Sequence, residues 1–279
     1  MQNLTLTWQS AGGSAVALLG AAYAAKRIRR PRAAPAAALL REAGTLLALF
    51  SLWQLVGRLS VLSADHALDR ADWIHRTELR WGFPDEAALQ QAVLPHAWLV
   101  TASNYYYATM HFAVMIALLA WVFLRHRDRY GWVRNTVVLT TGACLVIQFI
   151  PVAPPRMLAE SGFVDVAAQY GQSVYGGAVG GVVPDQLSAM PSVHVAWSVL
   201  AAVAVLKVAR GPWRWLVVLH PVVTVFVVVA TANHFWADGL VAVALLLVAY
   251  LVQHAFSGWR PSQQEAATAP EPERTSVSS

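Results

Sequence analysis

The sequence has little cysteine and little charge, and each shortage excludes a class of protein. Cys144 is the one cysteine among 279 residues, which excludes an intramolecular disulfide and disfavours a thiolate metal site. Walker, HExxH and CxxC patterns are absent too, which argues against soluble nucleotide chemistry. Asp, Glu, Lys and Arg together make up 13% of the chain. This small share is outside the usual range of soluble domains and predicts an integral membrane protein.

Long apolar runs take up most of the remaining sequence. Hydrophobic residues make up 57% of the chain, and the mean hydropathy is +0.47. A spanning helix needs about 20 mostly apolar residues. Runs that approach this length lie at 43–62, 104–124, 135–152, 192–209, 214–232 and 237–256. The predicted fold class is all-α, a polytopic membrane helical bundle with a six-helix core. A run rich in Ala and Gly at 8–25 adds an N-terminal helix, which either spans the membrane or lies flat.

The composition divides the chain into three regions. Residues 1–37 hold the N-terminal apolar segment and its basic cytoplasmic connection, and residues 38–256 hold the predicted transmembrane domain. Residues 257–279 are rich in Ser, Glu, Pro and Gln and have almost no large apolar side chains. Such a segment cannot bury enough surface to fold, so it is predicted to be a disordered cytoplasmic tail.

The basic residues predict how the chain is oriented in the membrane. They cluster beside apolar runs at 26–32, 125–134 and 207–214, which fits membrane anchoring better than nucleic-acid binding. If the runs alternate across the bilayer, all three clusters lie on one side, which the positive-inside rule identifies as the cytoplasm. The protein is then expected in the plasma membrane with a cytoplasmic C-terminus. The loops at 63–96 and 153–191 face outward.

These two outer loops have different compositions. Residues 63–96 mix acidic and basic side chains with Trp73 and Trp81, a pattern typical of a helix lying along the membrane interface. The loop at 153–191 carries five glycines between Gly171 and Gly181. Glycine-rich loops can form a mobile lid over a site or a plain flexible connection, and the composition fits both.

The motif Asn233-His234-Phe235-Trp236-Ala237-Asp238 holds the first candidate site residues. His234 and Asp238 stand at i and i+4, so on a helix they share one face. The carboxylate can hold one imidazole nitrogen while the other nitrogen points outward as a nucleophile. A purely structural pair that joins two helices is the alternative.

The motif Met190-Pro191-Ser192-Val193-His194 holds the second set. Pro191 suits the first turn of a helix, which would place Ser192 and His194 in the opening turn. Free N–H groups and the positive end of the helix dipole favour an anion there. We therefore predict a phosphate pocket. The alternative is an ordinary capping serine and an interfacial histidine.

Three more polar residues lie inside or beside the predicted spans. Arg156 follows the run at 135–152, and its guanidinium matches phosphate oxygens, although an interfacial arginine is the more common case. His111, inside the run at 104–124, either contacts substrate or packs against a neighbouring helix. His220, next to Pro221, is expected to be structural.

Together these motifs resemble the type 2 phosphatidic acid phosphatase superfamily, over roughly residues 40–256. The segments Pro154-Pro155-Arg156, Met190 to His194 and Asn233 to Asp238 are similar to the branch that contains inositol phosphorylceramide synthase, the aureobasidin A resistance protein. Asn104-Tyr105-Tyr106-Tyr107, with His111 and Phe112, is similar to that branch as well.

The resemblance implies a role for each motif residue. His234 would be the nucleophile and Asp238 its orienting partner. His194 would donate a proton to the leaving group and then act as base for the acceptor. Arg156 and Ser192 would bind the phosphate oxygens. No cofactor or metal is implied, and the substrates would be membrane lipids.

The sequence departs from the wider phosphatase pattern at two places. A lysine of that pattern is replaced by Phe149, and a Ser-Arg pair by Val227-Val228. The loss of two cations favours a singly charged phosphodiester, and therefore transfer of a phosphoinositol-like head group between lipid alcohols. A lipid or polyprenyl phosphate phosphatase of the same fold and a non-enzymatic transporter or receptor are the alternatives. The oligomeric state stays open.

Overall fold

The structure, a computed structural model, describes residues 7–27, 33–61, 66–170 and 187–258. Within these ranges the chain forms ten α-helices and three 3-10 segments, and no β-strand. The helices are α1 (Trp8–Arg27), α2 (Ala33–Val61), α3 (Ala67–Arg80), α4 (Glu86–Val93), α5 (Ala97–Arg125), α6 (Arg127–Ile147), α7 (Val166–Gln169), α8 (Val193–Val208), α9 (Leu219–Ala230) and α10 (Trp236–Gly258). The predicted all-α bundle is confirmed.

Four helical segments of the described chain are long and apolar enough to cross a membrane. They are Ala34–Val56, Ala97–Arg125, Pro212–Ala230 and Trp236–Phe256. The third begins as a 3-10 segment, Pro212–Val218, and continues as α9. These lengths match the roughly 20 residues that a bilayer requires, so the chain is an integral membrane protein.

The remaining predicted runs also form helices, but these are not among the four candidate spans. The run at 135–152 lies in α6, whose first turn is charged, and the run at 192–209 forms α8, an apolar helix of 16 residues. The run at 8–25 forms α1, which packs along α2. Whether α1 crosses the bilayer stays a prediction.

Two helix boundaries differ from the apolar runs. α2 begins at Ala33, well before the predicted start at 43, because alanine favours helix strongly. The predicted domain boundary at residue 37 therefore falls inside α2. α6 ends at Ile147, before the predicted end at 152, and the chain continues through Pro151 without helix. Proline lacks the N–H that a continuing helix would need.

α8 lies at the centre of the bundle and contacts α5, α6, α9 and α10. Ala196, Ala201 and Ala204 on α8 are almost completely buried. Small side chains allow helix backbones to approach closely, which is a common basis of packing within membranes. Around them, Val122 of α5 and Val133 of α6 complete an apolar core.

The α1–α2 hairpin is joined to this bundle by one buried carboxylate. Glu42 of α2 accepts from Arg134 Nη1 at 2.7 Å and from the Tyr130 hydroxyl at 3.1 Å, both on α6. A charge at this depth is retained only with partners, and Glu42 has these two besides its neighbour Arg41. The contact fixes the hairpin against α6.

α3 and α4 form a layer over one end of the bundle. The buried face of α3 includes Ala67, Ala71 and Ile74, while Trp73 and Trp81 are exposed. This two-sided helix lies where the interfacial helix was predicted. Its buried face packs against the start of α10 and against the segment around residues 152–157.

Two predictions lie wholly or largely outside the described residues. The glycine-rich segment with Gly171 to Gly181 falls in the range 171–186, and most of the predicted tail falls in 259–279. α10 extends to Gly258, so residues 257 and 258 are helical, and the disordered tail stays a prediction.

Candidate active site

His234 lies in the turn between α9 and α10. α9 ends at Ala230, Ala232 adopts a left-handed conformation with φ of 51°, and α10 begins at Trp236. The prediction placed His234 and Asp238 on one helix face. In the structure His234 precedes the helix and Asp238 lies in its first turn, because the chain reverses direction between α9 and α10.

The ring of His234 is held at one nitrogen by two acceptors. Its Nδ1 is 2.8 Å from the carbonyl oxygen of Ala189 and 3.2 Å from Asp238 Oδ2. A carbonyl oxygen can only accept, so Nδ1 carries the proton. The other nitrogen, Nε2, then presents a lone pair. Nε2 is buried and has no hydrogen-bond partner within the described part of the chain.

Asp238 has a second function in the same turn. Its Oδ2 also accepts from the N–H of Phe235 at 2.9 Å, and the residue is fully buried. A carboxylate at this position satisfies one of the N–H groups that have no partner inside the helix. One side chain therefore orients His234 and caps α10.

Ser192 is the N-cap of α8, and this corrects the predicted position of Pro191. The Ser192 Oγ accepts from Val195 N at 3.3 Å, and α8 begins at Val193. Pro191 thus precedes the cap instead of occupying the first helical turn. The N–H of Ser192 donates to the backbone oxygen of Asp238 at 3.1 Å, which joins the starts of α8 and α10.

His194, in the first turn of α8, lies among aromatic rings. It stacks on Tyr107 with ring centroids 4.3 Å apart and meets His111 edge-on at 4.2 Å. The His194 and His234 ring centroids are 5.5 Å apart. His111 contacts its own helix through Nδ1, which lies 3.1 Å from the backbone oxygen of Tyr107. The structure therefore brings all three histidines together.

Arg156 is attached to the turn that carries His234. Its N–H donates to the backbone oxygen of Ala232 at 2.9 Å, and its Nη1 donates to Asn233 Oδ1. Its Nε lies 3.4 Å from Asp165 Oδ2. The side chain is buried, which differs from the exposed interfacial arginine weighed as an alternative.

The six predicted site residues therefore gather at one end of the bundle. They come from the starts of α8 and α10, the middle of α5, and a 3-10 turn after α6. His220 lies elsewhere on α9, where its Nδ1 is 2.7 Å from the Tyr106 hydroxyl, and its structural role stays a prediction.

Other residues of the site were not assigned from the sequence. Asn233 and Tyr107 lie inside motifs that the sequence analysis quotes. Their position beside the candidate residues of those motifs was the signal that could have identified them. The carbonyl of Ala189 has no side-chain signal at all. Glu78 and Glu86 of the outer layer also reach the start of α10, at Ala237 N and Trp236 N.

The arrangement combines a cation, neutral donors and a free imidazole nitrogen. Arg156 and the start of α8 favour an anion, while Asp238 balances charge on the far side of His234. In the described residues no three His, Cys, Asp or Glu side chains are arranged to hold a metal ion. These groups suit nucleophilic attack on an anionic group by His234, with His194 close enough to move a proton.

A comparison with protein families matches this part of the chain. A family model described as PAP2 superfamily matches residues 72–252, more than half of the sequence and all six candidate residues. No curated protein and no solved structure matches the chain.

Proposed function

The chain belongs to the PAP2 superfamily, whose members are phosphatases and phosphotransferases, and on that premise we propose that it transfers a phospho-head group between lipid alcohols. The enzyme class follows from the family. The head group, phosphoinositol-like, and the resemblance to the inositol phosphorylceramide synthase branch belong to the proposal.

The observation that carries the proposal is the state of His234. Asp238 and the Ala189 carbonyl together hold Nδ1–H, so Nε2 is left with a lone pair beside a second imidazole. Attack requires the nitrogen about 3–3.5 Å from phosphorus. Proton transfer requires a donor about 2.6–3.2 Å from the leaving oxygen. Ring centroids 5.5 Å apart allow His234 and His194 to reach the same phosphate group.

The first displacement forms a phosphohistidine. The Nε2 lone pair of His234 attacks phosphorus, and the bond from phosphorus to the lipid oxygen breaks. The anionic substrate favours the protonated form of His194, which gives its proton to that oxygen, and the lipid leaves as an alcohol. The phosphorylated ring of His234 keeps its Nδ1 proton and carries a positive charge that the carboxylate of Asp238 stabilises.

The second displacement restores the enzyme. His194, now neutral, takes the proton of an acceptor alcohol as the acceptor oxygen attacks phosphorus. The nitrogen–phosphorus bond breaks and returns its electron pair to Nε2 of His234. Arg156 and the N–H groups at the start of α8 bind the phosphate oxygens throughout, with a contribution from the Ser192 hydroxyl. The proposal requires no cofactor.

A phosphodiester fits the charges better than a phosphomonoester. Where the wider family pattern has three cations, this chain has Arg156, while Phe149 is half-exposed and Val227 and Val228 are buried and apolar. A phosphodiester carries one negative charge and a monoester carries up to two, so one guanidinium suits the diester. The nearest alternative is hydrolysis of a lipid or polyprenyl phosphate by the same residues.

An assay with labelled phosphatidylinositol distinguishes these two reactions. The purified protein is incubated with the labelled lipid, with and without a lipid alcohol such as ceramide. We expect label to move to the alcohol and only slow release of the water-soluble head group without it. Release of phosphate from a monoester, with no head-group transfer, would overturn the transferase proposal.

We further propose that the site faces the extracytoplasmic side. In support, the basic residues Arg129, Lys207 and Arg210 lie at the opposite ends of the same helices. Cys144 is fully buried, so an introduced cysteine gives the main signal with thiol reagents. In intact cells a membrane-impermeant maleimide should label Glu160→Cys and spare Arg210→Cys. The reverse pattern would invert the orientation.

A further inference from the structure

Three successive N–H groups at the start of α10 are each satisfied by a different carboxyl group. Phe235 N donates to Asp238 Oδ2 at 2.9 Å, Trp236 N approaches Glu86 Oε1 at 3.5 Å, and Ala237 N donates to Glu78 Oε1 at 2.5 Å. Asp238 belongs to α10, but Glu86 comes from α4 and Glu78 from α3. The outer layer therefore completes the cap of the helix that follows His234.

Glu78 and Glu86 are buried to a degree that is rare for carboxyl groups. Their exposed fractions are 3% and 0%. His75 of α3 lies beside them, with Nδ1 3.3 Å from Glu86 Oε2. Asp238 adds a third negative group on the α10 side. Burying several carboxylates together is costly unless one of them is neutral.

The contact between the two glutamates indicates how this cost is reduced. Burial, the hydrogen bond between the two carboxyl groups and the charge of Glu86 raise the pKa of Glu78 from 4.5 to about 9. Glu78 is then the protonated member near neutral pH. Its O–H can donate to Glu86 while its carbonyl oxygen accepts from Ala237 N. The remaining negative charge lies on Glu86, beside His75.

We propose that Glu78 and Glu86 share one proton and act as a positioning pair, which fixes the first turn of α10 and thereby the orientation of Asp238 and His234. This inference rests on the proposed function, because the benefit of fixing the turn is a correctly aimed Nε2. Neither glutamate contacts the reacting atoms. Their contribution passes through the backbone at Trp236 and Ala237.

Two substitutions at Glu78 separate positioning from simple packing. Glu78→Gln keeps the shape, a donor toward Glu86 and an acceptor for Ala237 N, but it cannot ionise. Glu78→Ala removes all of these contacts. Misplacing a catalytic group slightly costs about 10- to 100-fold in rate. We therefore expect kcat to fall by about that factor in Glu78→Ala, with KM little changed, and Glu78→Gln to rescue most of the loss.

The pH profile gives the decisive readout. In the natural protein the pair ionises fully as pH rises through about 9, so turnover should fall there as Glu78 repels Glu86 and Asp238. Glu78→Gln should lack this fall. The matched control is Glu160→Gln, an exposed carboxyl group of the same end of the molecule. An alkaline fall that is identical in Glu78→Gln would overturn the inference, as would a failure of Gln to rescue the Ala variant.

Two measurements do not depend on activity. Infrared spectroscopy should detect the carbonyl band of a protonated carboxylic acid near neutral pH, and Glu78→Gln should lose it. Hydrogen exchange at the amides of Trp236 and Ala237 should rise in Glu78→Ala and return toward normal in Glu78→Gln.

These results separate failure of the pair from failure of the proposed function. Head-group transfer without the carbonyl band would overturn the pair and leave the proposed function intact. The band and the exchange pattern without any transfer would contradict the proposed function, and the inferred link from the pair to catalysis would fall with it.

Discussion

The two helices that begin at the site, α8 and α10, start in different ways. α8 begins with a neutral cap, the hydroxyl of Ser192, which accepts from Val195 N. The N–H groups of Val193 and His194 have no acceptor inside the helix. α10 begins with carboxyl groups, since Asp238, Glu86 and Glu78 reach Phe235 N, Trp236 N and Ala237 N.

The difference assigns a separate task to each helix start. A helix N-terminus attracts anions, and a free one is suited to phosphate. The start of α8 keeps that capacity. The N–H groups at the start of α10 already bind carboxyl groups from α10, α3 and α4, so this helix start instead fixes the direction of His234. Two similar helix ends thus support the proposed phosphate pocket and the proposed nucleophile.

Removing the His234 side chain, which the start of α10 holds in place, should have the largest effect on turnover. His234→Ala leaves no nitrogen to attack phosphorus, so turnover should fall by at least about 1,000-fold. The measurement is head-group transfer together with an acid-labile phosphohistidine on the protein. His96→Ala, an exposed histidine of the same end, is the control. A His234→Ala protein that keeps full activity is incompatible with the mechanism.

Removing the negative charge of Asp238 tests the contact between this side chain and His234 more selectively. Asp238→Asn preserves the size of the side chain and an oxygen that can accept from Phe235 N. It removes the charge that stabilises the phosphorylated ring, so kcat should fall by about 100-fold or more. The melting temperature should change little. Equal kcat in the two proteins would show that the carboxylate does not act through His234.

Making the start of α8 resemble that of α10 sharpens the comparison. Ser192→Asn and Ser192→Asp have nearly the same size, and both residues are good N-caps. Only aspartate adds a negative charge where the phosphate is expected. We expect kcat/KM of the Asp variant to be about 10-fold or more below that of the Asn variant, at similar melting temperatures. Equal kcat/KM values in the two variants would contradict binding of the phosphate at the start of α8.

The last prediction concerns stability and pH instead of turnover. Glu78 keeps its proton up to a pH of about 9 in the folded protein, but only to about 4.5 when unfolded. The folded state therefore binds more protons between these values, and stability falls as pH rises through them. Melting curves at several pH values should show this decline in the natural protein and a shallower one in Glu78→Gln. A parallel decline in both would assign it to other groups.

The sequence predicted the membrane fold and the site residues from two different signals. Apolar runs predicted helices, because a bilayer demands about 20 such residues regardless of neighbours. The motifs predicted which side chains carry chemistry. Their gathering at one end followed from alternating spans, and the structure has His194 and His234 in contact range.

Local geometry was less predictable. Pro191 was expected inside the first turn of α8, but Ser192 caps the helix, and both positions satisfy the rules for a helix start. His234 was expected on a helix and lies before one. Such choices depend on tertiary contacts, here the Ser192 N–H on the Asp238 backbone, which spacing along the chain does not reveal.

The outer carboxyl groups were missed for a different reason. Charged residues mixed with tryptophan in 63–96 suggested a helix lying along the membrane interface, and none of them was singled out as a site residue. In α3, however, Glu78 continues the buried stripe of Ala67, Ala71 and Ile74, three or four residues apart. That spacing was a usable signal. Glu86, the partner of Glu78, belongs to another helix, and only the folded chain brings the two residues together.

The contact from Ala189 to His234 is made by main chain, and this limits what side-chain substitution can measure. Any residue placed at position 189 keeps a carbonyl, so no ordinary substitution deletes that acceptor. In Asp238→Asn the carbonyl of Ala189 still fixes the tautomer of the imidazole. The rate lost there is a lower bound on the joint contribution of both acceptors, and a scan of alanines would assign position 189 no role at all.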